Sequence, residues 1–325
     1  MGLHDERMMR CTINNVTNNV PKAFVEDVIR GVPVIPIFTI GSSSHGKTCY
    51  LSSIFWNLYH GNIHKVWPGF TFDGLNRGTL ENIRKNYVDL LQSNKLPAKN
   101  PVKFPEPIIV RFPGMPNRYH GLRNVFFYNP ITQRDVIFVF YDVSGDVFLQ
   151  EEDILRYLPI LNRTNSLIFL ISLPLLDLQV NETHEKNSVV TEMHSLLQVV
   201  TLALESNRVQ MKRKKLILSF IWADEMWGHE NKYGPLAEKI TRGLPTISEM
   251  PDYFRDLTSQ SKDIERYLSE KYGIFYNLCK QFGALSCVSV SALGQKPNSD
   301  GTINNITPYH IMDPILLAMK YEKYL

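Results

Sequence analysis

The chain has 325 residues and a mass of 37.5 kDa, enough for one large α/β domain or two of average size and too much for a small disulfide-held scaffold. Hydrophobic residues at 44% and aromatics at 11% supply a core, and charged residues at 21% are too few and too mixed for a disordered chain. Against 35 Lys plus Arg stand 32 Asp plus Glu, a net charge of +3, so no overall field draws the molecule to nucleic acid or an anionic membrane and neither is an expected partner.

The opening Met-Gly-Leu-His-Asp-Glu has no apolar signal region, and Glu6 stands where a myristoylation motif wants Ser or Thr, so no export or lipid signal is expected. Residues 1–30 carry no clear pattern and stand as an unassigned extension. From there short apolar runs alternate with stretches of helical period, the signature of βαβ units on a mostly parallel sheet. The strand-like runs are Val34–Ile40, Val136–Tyr141, Leu167–Ser172, Leu216–Ile221 and Leu285–Val290; they are continuous rather than alternating, as strands covered on both faces are. Between them, apolar residues fall at helical spacing at Leu51, Ile54, Phe55 and Leu58, at Ile154, Leu158 and Leu161, and at Val189, Met193, Leu196 and Val200. Residues 61–107 form an extra segment, with Thr79 as a helix cap, Leu80, Ile83, Tyr87 and Leu90 on one face, and a loop from Asn94 to Pro107. Asn124–Asp142 reads as an antiparallel hairpin turning at Asn129–Arg134, and Asp313-Pro314 as the cap and first turn of a closing helix.

Leu167–Leu176, the most apolar stretch, is about half the ~20 residues of a membrane-spanning helix. Cys11, Cys49, Cys279 and Cys287 form no CxxC pair, so neither a disulfide framework nor structural zinc is indicated, and a cytoplasmic protein with reduced thiols is expected. The basic run Lys212-Arg213-Lys214-Lys215 precedes a strand and reads as a solvated turn.

Directly after the first strand stands Gly41-Ser42-Ser43-Ser44-His45-Gly46-Lys47-Thr48, which fits GxxxxGK[ST] at every fixed position. Such a loop wraps backbone N–H groups around phosphate oxygens, so side chains at Gly41 or Gly46 would obstruct it. Lys47 then reaches the β and γ phosphates, and Thr48 in the first helical turn is placed to ligate Mg²⁺ beside Cys49. His45 occupies a freely varying position. The run ending Tyr141-Asp142-Val143-Ser144-Gly145 is a strand capped by DxxG: Asp142 can hold Mg²⁺ through water and Gly145 can offer its N–H to a γ-phosphate. Asp224, after the fourth run, can accept the paired donors of guanine, and a backbone N–H near Ser291-Ala292 can meet guanine O6.

In this succession the chain resembles a P-loop GTPase of the Ras-like, translation-factor-related division over residues 33–325. The long segment before the hairpin, Asn94-Lys95-Leu96-Pro97 and the closing Asp313–Leu317 are similar to bacterial double-GTPases of conflict or signalling systems. The resemblance implies a three-layer α/β/α domain over 31–325, mostly parallel with one antiparallel edge strand, with 61–107 replacing or extending switch I. It implies GTP or GDP with Mg²⁺ as ligands, GTP hydrolysis that the departure at Asp146 is expected to slow, and a protein effector or regulator as partner. Departures qualify this. NKxD is reduced to Ile221-Trp222-Ala223-Asp224, where Trp222 either stacks on the base or packs in the core. Leu293 replaces the lysine of the SAK-like loop. No switch I threonine can be placed: Thr71 is isolated, Thr79 reads as a cap, and Asn100 stands where a threonine would. Asp146 takes the place of the water-positioning glutamine. Arg111, Arg118, Arg123 and Arg134 are candidates for a cis arginine finger. The rival expectations are an ATPase of the same superfold and a subunit that binds nucleotide without hydrolysing it.

Overall fold

The computed structural model describes residues 8–13, 16–42, 46–60, 72–75, 77–97, 106–117, 132–149, 151–172, 186–226 and 250–324. Within the first 30 residues, β1 (Met8–Ile13) and β2 (Val16–Pro21) pair as an antiparallel ribbon that runs into α1 (Lys22–Ile29). There follow β3 (Val34–Ile40), α2 (Lys47–Tyr59), α3 (Arg77–Ile83), a π-helical turn at Arg84–Val88, and α4 (Asp89–Gln92). The middle of the chain supplies β4 (Ile108–Asn117), β5 (Thr132–Tyr141), a 3-10 turn at Gly145–Leu149, α5 (Glu151–Arg163), β6 (Ser166–Ser172) and α6 (Lys186–Ser206). The last described part holds β7 (Lys215–Ile221), α7 (Met250–Lys271), α8 (Gly273–Cys279), β8 (Ala284–Ser289) and α9 (Asp313–Tyr321).

The strands from β3 to β8 form one sheet in the order β4-β5-β3-β6-β7-β8, parallel throughout except for β4, which runs antiparallel to β5 at the edge. Both faces are covered, and the uninterrupted apolar character of the central strands follows from that. In β6, Leu167, Phe169 and Ile171 face one apolar cluster while Ile168 and Leu170 face the other. Helix α2, the π-turn and α9 cover the second face, and α5, α6 and α8 cover the first. Helix α7 belongs to both: Tyr253 and Leu257 join one cluster, Ile264 and Leu268 the other. The result is a three-layer α/β/α fold. No described helix is long and apolar enough to cross a membrane.

Several expectations change. The antiparallel partner of β5 is Ile108–Asn117; residues 124–131 lie outside the described residues, and Thr132–Arg134, expected in the turn, are instead the first residues of β5, paired with Asn117, Pro116 and Met115. Pro113 and Pro116 mask this strand in the sequence, and both are tolerated because it is an edge whose register shifts between Phe112 and Met115. Thr79 lies inside α3 rather than capping it. Asp313 does not cap α9 either: its buried carboxylate accepts from Tyr253 Oη at 2.6 Å and lies 2.9 Å from His310 Nδ1. In the insertion helix, Leu80 is exposed and the buried residues are Ile83, Tyr87, Val88 and Leu91. The stretch after Ser291 packs around buried Ile303, and it pairs with the end of α4 through Lys95 and Thr302 and through Ile303 N–H to Asn94 O at 3.1 Å.

Lys214 is not part of a solvated turn. It is 4% exposed, and its ammonium donates to the carbonyls of Leu161, Asn162 and Thr164 at 2.7, 2.8 and 2.5 Å, closing the C-terminal end of α5. Desolvation lowers its pKa. Replacing Lys214 by Met keeps the apolar stem and strands these carbonyls, so we expect a loss of about 2–3 kcal/mol, read as a lower urea midpoint at unchanged m-value.

Candidate functional site

After β3 the chain crosses one face of the sheet through α2 and joins the β4–β5 side; after β5 it crosses the opposite face through α5 and enters β6 on the other flank of β3. The connections therefore diverge above the C-terminal end of β3 and open a crevice, the usual ligand position in such sheets. Gly41 and Ser42 lie there, Asp142 follows β5, Trp222 and Asp224 follow β7, and Ser291 and Ala292 follow β8. Ser43, Ser44 and His45 lie outside the described residues.

Both signature glycines have local reasons. Gly46 has φ +63, the left-handed region that glycine enters at little cost, and immediately precedes α2. At Gly41 a Cβ would come within 2.9 Å of Leu170 O, so the glycine serves the close approach of the loop to β6. Lys47, 6% exposed, folds back and donates to Gly41 O at 2.6 Å and Ser42 O at 2.7 Å. Its ammonium is thereby held at the inner edge of the loop, beside the positive end of a 13-residue helix, where an anion would be favoured.

One turn of chemistry away, Thr48 Oγ1 lies 3.4 Å from Asp142 Oδ1, although the two residues are 94 apart in sequence. A hydroxyl and a carboxylate facing each other are hard oxygen donors of the kind Mg²⁺ takes while keeping water and phosphate oxygens as its other ligands. These two residues would hold the ion, which would neutralise phosphate charge. Asp142 is 3% exposed, and its other oxygen, Oδ2, accepts from Tyr87 Oη at 3.2 Å. Burial, with the Asp142 carboxylate alongside, pushes the Tyr87 hydroxyl well up, so it remains a neutral donor. Gly145 is buried at the start of the 3-10 turn, and half-buried Asp146 has Oδ2 3.5 Å from Ser144 Oγ.

On the base side, Ser291 Oγ donates to Asp224 Oδ1 at 2.5 Å and accepts Gly294 N–H at 2.8 Å. Ala292 O accepts from Ser53 Oγ in α2 at 2.5 Å, tying the loop after β8 to the helix that follows the phosphate loop. Burial holds the Asp224 carboxyl above its ordinary value, partly opposed by the Ser291 hydroxyl. Burial and the nearby Asp224 push the Cys49 thiol up to about 12, so it stays protonated. Trp222 is half-buried against the α2-side cluster with φ +62, uncommon for a bulky residue, and a Cβ at Gly46 would lie 3.4 Å from its indole Nε1.

Two contacts had no signal in the sequence: Tyr87 reaching Asp142, and Glu192 on α6 accepting from Ser42 Oγ. Tyr87 was visible only as one apolar position of a helix face, and Glu192 as a charge on a crossover helix. Arg111 does not reach the crevice. It pairs with Asp27 and Asp73 at 3.2 and 3.3 Å, and its register partner Ile137 lies beside Val34 at the start of β3, the end of the sheet opposite Gly41. Arg134 is further still along that direction, while Arg118, Arg123, Thr71 and Asn100 fall outside the described residues.

No family model and no curated protein matches the chain. Solved structures do. The S. cerevisiae Ski7 GTPase-like domain bound to GDP and inorganic phosphate aligns at 12% identity and a TM-score of 0.39, over 93% of this chain and 53% of that one. The same domain bound to GTP gives the same values. The chain thus spans about half the length of those chains, and a likeness of this degree specifies no function.

Because the Asp224 carboxyl is raised, the folded chain holds that proton better than the unfolded chain does, and its contribution to stability falls as pH rises from 3.8 through the folded value. Asp224→Asn removes that slope. Without nucleotide, the melting temperature of the variant relative to wild type should therefore rise as pH increases from 3.8 through the folded value; a constant difference would show that Asp224 titrates normally.

Proposed function

We propose that this protein binds a guanine nucleotide with Mg²⁺ in the crevice above β3, hydrolyses GTP slowly, and uses nucleotide state to govern a protein partner. The observation that carries the reading is the 3.4 Å approach of Thr48 to Asp142 beside Lys47, two motifs distant in sequence meeting at a helix N-terminus. In this reading Gly41 to Cys49 cradle the phosphates, Lys47 binds the β and γ groups, Thr48 and Asp142 hold Mg²⁺, and Gly145 meets the γ-phosphate. Asp224 reads guanine with Ser291 fixing its orientation, and Trp222 lines the base side. Residues 31–325 then act as one P-loop unit with 61–107 in the place of switch I. A role in a bacterial conflict or signalling system rests on the sequence resemblance alone.

Slow turnover follows from Asp146, a carboxylate where a neutral amide would orient the attacking water beside phosphate charge. The same residue favours a second reading, binding without hydrolysis in an assembly. An ATP site is the alternative if Asp224 does not meet the base.

Thermal melting with Mg²⁺ and GTP, GDP or ATP separates these. At ligand near 100 times Kd, GTP and GDP should stabilise the protein by about 2.7 kcal/mol, a rise of several degrees, with ATP inert and Lys47→Ala unresponsive. Phosphate release in the same samples distinguishes slow hydrolysis from none. Equal shifts with ATP would overturn the guanine assignment.

A further inference from the structure

Asp142 receives a hydrogen bond from a residue outside the phosphate loop and its helix. Tyr87 belongs to the π-turn Arg84–Val88, between α2 and β4, with 8% of its surface exposed and its hydroxyl 3.2 Å from Asp142 Oδ2. Its ring packs at 5.2 Å on Phe55 of α2, which in turn meets Phe140 of β5 at 5.2 Å. We propose that Tyr87 is a positioning residue for Mg²⁺: its hydroxyl fixes Oδ2 of Asp142 and so keeps Oδ1 turned toward Thr48 and the ion.

This inference rests on the nucleotide reading and deepens it. The chemistry has one direction, since the ionised carboxylate only accepts and the phenol donates. In metal sites, a hydrogen bond to the outer atom of a ligand fixes its orientation and tunes its basicity. Packing against Phe55 alone would be served by phenylalanine, so the buried hydroxyl is explained by its acceptor.

The backbone supports the same assignment. The π-turn spans Arg84–Val88, and the buried residues of this helical run are Ile83, Tyr87, Val88 and Leu91. Tyr87 and Val88 are the last two residues of that π-turn, and both are buried. π-turns are rare and concentrate at functional sites.

The test is the Mg²⁺ dependence of GDP affinity in the full chain, using a fluorescent GDP analogue and chelator-buffered Mg²⁺, for wild type, Tyr87→Phe and, as the ceiling, Asp142→Asn. Tyr87→Phe keeps the ring packing, and far-ultraviolet dichroism with melting reports whether the fold is retained. Expected is an increase of about 10- to 100-fold in the Mg²⁺ concentration for half-maximal tightening, with affinity in excess chelator changed less than about twofold. An unchanged Mg²⁺ midpoint overturns the inference, and so does an equal loss of affinity with and without Mg²⁺, which would mark Tyr87 as merely structural. Failure of the wild type to bind the GDP analogue at any Mg²⁺ concentration overturns the nucleotide reading, and the inference with it.

Discussion

A carboxylate 3% exposed at the end of a parallel strand is tolerable only when its oxygens are engaged. Asp142 turns one oxygen to Thr48, at the start of α2, and the other to Tyr87, in the π-turn. Three segments far apart in the chain are thus fixed against one another by a single side chain. The sheet order places the end of β5 directly beside the end of β3, so the carboxylate and the phosphate loop meet without either strand bending. The covering helices bring their apolar faces to that arrangement, and the tilted and edge-on ring contacts from Tyr87 through Phe55 to Phe140 carry it into the core.

A second set of contacts repeats the pattern on the base side. Asp224 is joined to Ser291, Ser291 to Gly294 and by backbone pairing to Tyr309, and Ala292 to Ser53. The loop after β8 then returns to Asn94 and Lys95 at the end of the same helical run that carries Tyr87. The segment between α2 and β4 consequently touches both ends of the crevice, the carboxylate at one and the loop behind Ser291 at the other. Buried Tyr253, His310 and Asp313 hold the far end of that loop against α7 and α9. Rigidity on this side comes from hydrogen-bonded side chains as much as from apolar packing.

Much of this was legible in the sequence, for identifiable reasons. Continuous apolar runs such as Leu167–Ser172 marked doubly covered strands, and the Gly41–Thr48 spacing marked the loop, because backbone and site requirements there are local. What failed was non-local. Ile108–Asn117 was hidden by prolines that an edge strand tolerates but a sequence pattern does not forgive. Lys214 looked like one of four surface cations, yet the end of α5 comes back to it from 50 residues away. Tyr87 had the correct helical face but no sign in its neighbours that an acceptor faced it from β5. The cap reading at Asp313 erred because a short polar side chain before an apolar run is equally consistent with tertiary hydrogen bonding, here from Tyr253, and the one at Thr79 erred because α3 already begins at Arg77.

The two margins of the main sheet differ in construction but share an outcome. At β8 the outward N–H of Cys287 is taken by Ser261 Oγ of α7 at 2.9 Å, so the last strand offers a neighbouring molecule a helix instead of an open ladder. At β4 the prolines and the register shift spoil the opposite ladder before it can template another strand. Among the described residues, both edges of the main sheet thus present a neighbouring molecule with a less regular row of backbone donors and acceptors than an open strand would.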